Sequence, residues 1–380
     1  MNVIYSDIRK IILTFIIAGL SGWLFLLINF PAPFLIGSLL GVWIIGGTIK
    51  KIQLHLGVAR WFHIPVVLGL GVFTGSFFKG DLINLVITYA PTVIAMITVT
   101  VFATLIGYFF LTHIRSYNPI TAILCSLPGG QAEAIIMARE MVEKDYIIAL
   151  FHLTRVAFIF ISTPLLLAAI EGQEAVQQSN QLLQTMPTLL DLNFLQFFLF
   201  ISIAVGGLVL AMLIRLPMPH LLGPLFLSAV FHSTGWVDIP RIFEFVLLAQ
   251  LSIGGAVGAR LAQVKFSELM VYFKDSLINT SIILVLYFLA ALLVAYLLGT
   301  TVTEVWLAFV PGGIYEVTLL AVIFGFDIAF IAFHHTFRII LIFFTMPVIA
   351  TKFQNKIGAC LLYTSPSPRD ATLSRMPSSA

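Results

Sequence analysis

Two strings in this chain combine an irregular backbone, a carboxylate, an imidazole and a guanidinium at fixed spacing. The first runs Leu127-Pro128-Gly129-Gly130-Gln131-Ala132-Glu133, followed by His152 and Arg155. The second runs Val310-Pro311-Gly312-Gly313-Ile314-Tyr315-Glu316, followed by His335 and Arg338. Proline removes a backbone donor and glycine relaxes the chain, so Pro-Gly-Gly inside an apolar stretch predicts a broken helix. Its second half would begin after Gly130, and after Gly313 in the other copy. Such a start presents free N–H groups and a partial positive charge, which suit an anionic group. A plain kink between packed helices is the alternative. Glu133 and Glu316 fall in the first turn of these half-helices. There a carboxylate can cap the free N–H groups, or titrate and couple to H⁺ or a cation.

His152 and Arg155 are spaced i, i+3 and share one helix face, as do His335 and Arg338. Each arginine sits near residue ten or eleven of its apolar segment, about 15 Å deep at ~1.5 Å per residue. At that depth it faces a partner or a cavity. Two readings stay open. Arg155 pairs with Glu133 and Arg338 with Glu316 as fixed bridges, or the arginines hold an anionic substrate while Glu and His move protons. For the histidines, a satisfied packing role is the bland counterpart. His334 has no equivalent in the first string, where Phe151 stands. The candidate substrate or ion residues are therefore Glu133, Glu316, His152, His335, Arg155 and Arg338. The candidate helix-break residues are Pro128, Gly129, Gly130, Pro311, Gly312 and Gly313. No catalytic residue, metal ligand or cofactor is assigned, and an enzyme is not expected.

The elements that position these residues must live in lipid. Of 380 residues 60% are hydrophobic and 10% charged, with mean hydropathy +1.06; a soluble domain carries about 25% charged residues. A net charge of +3 without a basic cluster disfavours nucleic-acid binding. Ile11–Ile28 follows Arg9 and Lys10 and reads as a first membrane helix rather than a cleaved signal. Cys125 and Cys360 form no disulfide framework.

The two strings lie in two matching halves. The step that carries His152 onto His335 also carries Pro164 onto Pro347, and Gly71 and Gly75 onto Gly254 and Gly258. Pro31-x-Pro33-x-x-x-Gly37 matches Pro217-x-Pro219-x-x-x-Gly223. The glycines read as close helix packing; Gln250 and Ser252 could line a path. Each half holds six apolar segments, and Glu171–Asp191 between them is polar. If the Pro-Gly-Gly segments do not cross and the N-terminus is cytoplasmic, fourteen Lys and Arg lie inside and only Lys79 and Arg241 outside. If both segments cross, the split is nine to seven, so the first arrangement is preferred. Five crossings per half then invert the second half relative to the first.

The expected fold is thus an all-α polytopic membrane protein of two inverted-topology repeats. Each has about five transmembrane helices plus one Pro-Gly-Gly re-entrant or broken helix. The organisation is 1–170 for the first repeat, 171–191 for a polar extracytoplasmic linker and 192–356 for the second repeat. The stretch 360–380 resembles a translated sequencing adapter and is set aside as an artefact tail.

The duplicated Pro-Gly-Gly-x-x-Glu, each copy followed by His-x-x-Arg and a later proline, resembles the membrane AbrB family over about residues 10–355. That resemblance implies a bacterial, multi-pass inner-membrane protein with an AbrB duplication. Its members carry either a regulator label or an ammonia-monooxygenase label. The second label implies a metal site, for which the scattered histidines lack ligand spacing. The first implies an indirect, membrane-based effect on gene expression. The soluble DNA-binding regulator of the same name is a small β protein unlike this chain. The functional expectation is a secondary transporter of a small organic anion, coupled to H⁺. A membrane-embedded regulator or sensor is the alternative. The expected partners are the anion, H⁺ and the lipid bilayer, with no nucleic acid; a homo-oligomer is compatible with the pattern.

Overall fold

The computed structural model describes residues 2–129, 134, 138, 141–142, 144–240, 242–264 and 266–364. Among them the chain is helical, with no strand. The elements are α1 Asn2–Leu27, α2 Pro33–Thr48, α3 Lys50–Gln53, α4 Arg60–Gly75, α5 Leu82–Phe109, α6 Pro119–Ser126 and α7 Asp145–Gln184. They continue with α8 Phe194–Leu213, α9 Pro219–Ser233, α10 Phe243–Gln263, α11 Phe266–Leu298, α12 Val302–Phe309, α13 Ile314–Phe324 and α14 Ile328–Thr364.

Local chemistry sets the ends. Asp81 caps α5 through Ile83 N and Asn84 N, and Asn118 caps α6 through Ile120 N. Asn193 and Gln196 form a capping box at α8. Pro33 opens α2 and Pro219 opens α9, each after a residue in the left-handed region, Ala32 (φ 48°) and Met218 (φ 46°). The last turn of α5 loosens into a π turn over Phe110–Ile114.

Seven helices among the described residues are long and apolar enough to cross a membrane: α1, α5, α7, α8, α10, α11 and α14. Exposed Phe194, Leu195, Phe198 and Leu213 on α8, and Leu289, Leu293 and Tyr296 on α11, give these helices apolar outer faces that only lipid can cover. The expectation of five crossings per half also counts α2, α4 and α9. Those have 15 or 16 residues, short of the ~20 needed for a full span.

Their shortness goes with interior packing. A Cβ on Gly71 would sit 2.6 Å from Leu221 O, and one on Gly75 would press on Leu225 O, so α4 lies backbone-to-backbone on α9. The same fit recurs between α10 and α2: a Cβ on Gly254 would sit 2.6 Å from Leu35 O, and one on Gly258 2.5 Å from Leu39 O. Side chains lost at these glycines let backbones touch. Each half thus packs a glycine-bearing helix on a helix of the other half. The main hydrophobic core includes Leu35, Leu39, Leu70, Leu221, Leu225, Phe160, Phe309 and Tyr287.

Two features add to the expected organisation. The polar connection is helical at its start, because α7 runs on to Gln184 through a kink at Gly172 (φ 86°, ψ 173°). Glycine tolerates that backbone, and the Gln, Glu and Leu residues after it favour helix. At the other end, α14 continues through Thr364, into the stretch read as an adapter; 365–380 lie outside the described residues.

Candidate functional site

The second string folds as its residue types dictate. α12 ends at Phe309, Val310 to Gly312 are non-helical, and α13 starts with Gly313 as its N-cap. The end of α12 leaves carbonyl oxygens without intrahelical donors, deep in an apolar interior. Arg338 of α14 supplies them. Its Nη1 donates to Phe309 O at 2.8 Å and Val310 O at 2.9 Å, and its Nη2 to Gly312 O at 3.1 Å. Nη2 also donates to His335 Nδ1 at 2.7 Å, and His335 Nε2 lies 2.8 Å from Leu307 O. Since Nδ1 accepts, Nε2 carries the proton and donates to Leu307 O. One guanidinium therefore caps the break with a cation at a helix C-terminus, and one imidazole fixes its orientation.

The first string repeats the imidazole geometry with a poorer cap. His152 Nε2 lies 2.9 Å from Leu124 O, and Arg155 Nη2 donates to His152 Nδ1 at 2.7 Å. The contact of Arg155 Nη1 to Cys125 O is long, 3.5 Å, and Arg155 Nε has no partner among the described residues. Nearby Ser126 Oγ is also unpartnered among the described residues. α6 ends at Ser126, and Gly129 takes φ 116°, a backbone that requires glycine.

The two breaks reach across to the opposite half. A Cβ on Gly129 would meet Ile342 Cδ1 at 3.0 Å and Arg338 Nε at 3.9 Å, both on α14. A Cβ on Gly312 would meet Ile159 Cγ2 of α7 at 3.4 Å. Arg155 and Arg338 are 2% and 1% exposed, and they lie within charge range of each other. The Tyr287 hydroxyl of α11 is close to both guanidinium groups and donates to Thr100 Oγ1 at 2.8 Å.

The structure therefore gathers His152, Arg155, His335, Arg338, Pro311, Gly312, Pro128 and Gly129 around one centre. Glu133 and Gly130 lie outside the described residues, and Glu316 is placed only by its backbone in the first turn of α13. His334 bridges Phe330 O at 2.7 Å and Thr92 Oγ1 at 2.8 Å, a satisfied packing histidine. Tyr287 was not singled out from sequence; its signal was a tyrosine in a long apolar helix. The buried Asp275, paired with Arg115 at 2.6 Å and accepting from Tyr117 at 3.0 Å, was missed too. Gln250 is 1% exposed with neither amide atom partnered among the described residues, while Ser252 Oγ meets His63 Nδ1 at 3.2 Å. Among the described residues no three His, Cys, Asp or Glu side chains converge.

A family model described as "Transition state regulatory protein AbrB" matches residues 39–354. A protein of Escherichia coli (strain K12) named "Putative regulator AbrB" is 24% identical over 332 residues, 86% of this chain and 91% of that protein. "Uncharacterized protein YhjN" of Bacillus subtilis (strain 168) is 21% identical over 303 residues, 76% of this chain and 77% of that protein.

Proposed function

The chain belongs to this AbrB family, and on that premise we propose that it is a secondary transporter of a small organic anion, coupled to H⁺. The observation that carries the reading is the pair of buried guanidinium groups, Arg155 and Arg338, within charge range of each other at two helix breaks. Two buried cations are costly and need compensating negative charge. A substrate anion supplies it transiently, with H⁺ exchange at Glu133 and Glu316. Binding then offsets a cost that the empty centre carries.

In this reading the halves 1–170 and 192–356 are inverted repeats and the Pro-Gly-Gly segments are re-entrant. Register along α14 supports re-entrance. Leu307 meets His335 and Phe309 meets Arg338, so α12 runs in the same direction as α14. α13 joins α14 through Gly325–Asp327 and so runs back against it. Glu304 at the start of α12 and Asp327 before α14 both lie beside Tyr89. A segment that enters and leaves on one side fits the charge distribution, which favours an N-terminus in the cytoplasm of a bacterial cell. The crossed contacts of the breaks support a substrate site between the halves, where inverted-repeat carriers bind.

The test is flux into proteoliposomes loaded with a pH dye, across a panel of small mono- and dicarboxylates. An anion-dependent pH change that disappears in Glu133→Gln/Glu316→Gln supports the carrier. A flat trace from folded protein across the panel defeats it. It would turn attention to a membrane sensor, the reading favoured by the regulator name of the Escherichia coli relative.

A further inference from the structure

A second centre lies away from the helix breaks, at one end of the antiparallel pair α4 and α10. A cavity of about 440 Å³ opens there, lined by Gly57, Arg60, His63, His220, Arg260 and Gln263 among others. We propose that it is a binding site for a small oxyanion of about two negative charges, such as a phosphate group. The lining brings two guanidinium and two imidazole groups together, with no Asp or Glu among its described residues. They form two cross-helix sets: Arg260 of α10 within charge range of His63 of α4, and Arg60 of α4 within charge range of His220 of α9. Neither arginine has an ion-pair partner among the described residues. Like charges gathered without a counter-charge repel one another, and a bound dianion converts that cost into affinity.

The walls are fixed before any ligand arrives. Gln263 Nε2 donates to Leu56 O at 3.1 Å, and Gly57 is held by Thr14, which accepts from Gly57 N at 2.9 Å. His63 Nδ1 is held by Ser252 Oγ, leaving Nε2 without a partner among the described residues. His220 Nδ1 is buried and unpartnered among the described residues, a polar atom waiting for a hydrogen bond. Arginine in a preformed pocket suits the forked geometry of phosphate oxygens.

The opposite end of the same helix pair argues for specificity. A cavity of about 480 Å³ there is lined by Ser76, Lys79, Thr185, Pro187, Asp238 and Pro240 among others. It balances one ammonium against one carboxylate, and residues of the connection between the halves form part of its lining. Related ends of two related helices thus carry different electrostatics, and only one concentrates positive charge.

A free solute and the headgroup of an anionic lipid present the same chemistry. The experiment uses the full chain in nanodiscs and measures bound radiolabelled inorganic phosphate, with native mass spectrometry for retained lipid. In phosphatidylcholine discs, saturable binding near one phosphate per chain is expected. Arg60→Gln/Arg260→Gln should weaken it by about tenfold or more, the loss expected when charge-assisted contacts are removed. Arg9→Gln/Lys274→Gln, which removes two exposed charges elsewhere, should leave it unchanged. In discs containing phosphatidylglycerol, undiminished phosphate binding supports a solute source. Anionic lipid retained by the wild type but not by the double variant supports a headgroup source. No saturable phosphate or lipid in either disc overturns the site, as does binding that the double variant keeps. The measurement involves no flux, so it stands or falls independently of the transport reading.

Discussion

Arg338 and Arg155 occupy equivalent places in the two halves, each three residues beyond a histidine that holds a backbone carbonyl of the preceding short helix. Arg338 makes three bonds of 2.8 to 3.1 Å to carbonyls at its break. Arg155 makes one of 3.5 Å and leaves Nε unpartnered among the described residues. One sequence pattern therefore serves two purposes. In the second half the guanidinium is committed to holding the break. In the first, among the described residues, it leaves bonding capacity unfilled, which suits a group that meets a ligand.

The largest expected effect breaks the comparison if it fails. Arg338→Met leaves the carbonyls of Phe309 and Gly312 without their donor, while Val310 O keeps the Gly312 N–H, at about 1–3 kcal/mol for each buried orphan. A loss of about 3–5 kcal/mol is expected, read as low yield and a fall in thermal midpoint in detergent. Arg155→Met removes a poorly satisfied buried charge and is expected to change stability by no more than about 1 kcal/mol, because lost contact and relieved desolvation offset, while abolishing flux. Equal thermal losses in the two variants would sink the assignment of separate roles.

The glycine contacts supply a control in which the halves should agree. Gly71→Ala and Gly254→Ala each force a Cβ to 2.6 Å from a carbonyl oxygen, and each should cost about 1–3 kcal/mol by overpacking. A marked difference between them would mean that the halves are packed less alike than their contacts indicate. His152→Leu and His335→Leu come next. Each loses a bond to a carbonyl and the orientation of its arginine, about 1–2 kcal/mol in thermal denaturation. His152→Leu should weaken the flux more than His335→Leu, since the other cap holds Arg338 in place. The smallest effect is at Gln250, whose side-chain amide has no partner among the described residues. Gln250→Leu should raise stability by about 1 kcal/mol. A decrease would show that the amide is hydrogen-bonded in the membrane, to water or to solute.

Sequence spacing revealed what lies along one helix and little of what lies across helices. The i, i+3 pairing of His and Arg, the break before Ile314 and the close approach at Gly71 and Gly254 all follow from local rules. The partners of Arg338 do not. A deep arginine suggested a carboxylate or a substrate; among the described residues its acceptors include backbone carbonyls, which every residue carries and no sequence pattern marks. Tyr287 and Asp275 were overlooked for the same reason: their meaning comes from Thr100, Arg115 and the two guanidiniums, on other segments. The four basic side chains around the cavity were visible only as charges near membrane ends. Three helices and a loop had to converge before they formed a site.

The backbone-to-backbone seats of α4 on α9 and α2 on α10 also bear on how the chain is made. α4 is complete at Gly75, but its seat on α9 begins only at Pro219. At ~5–20 residues per second, the nascent first half waits on the order of ten seconds with its small-residue grooves unfilled. During that interval short, glycine-lined helices must be sheltered by the insertion machinery or by lipid alone. Biogenesis, more than equilibrium stability, is then where substitutions in these grooves should first do harm.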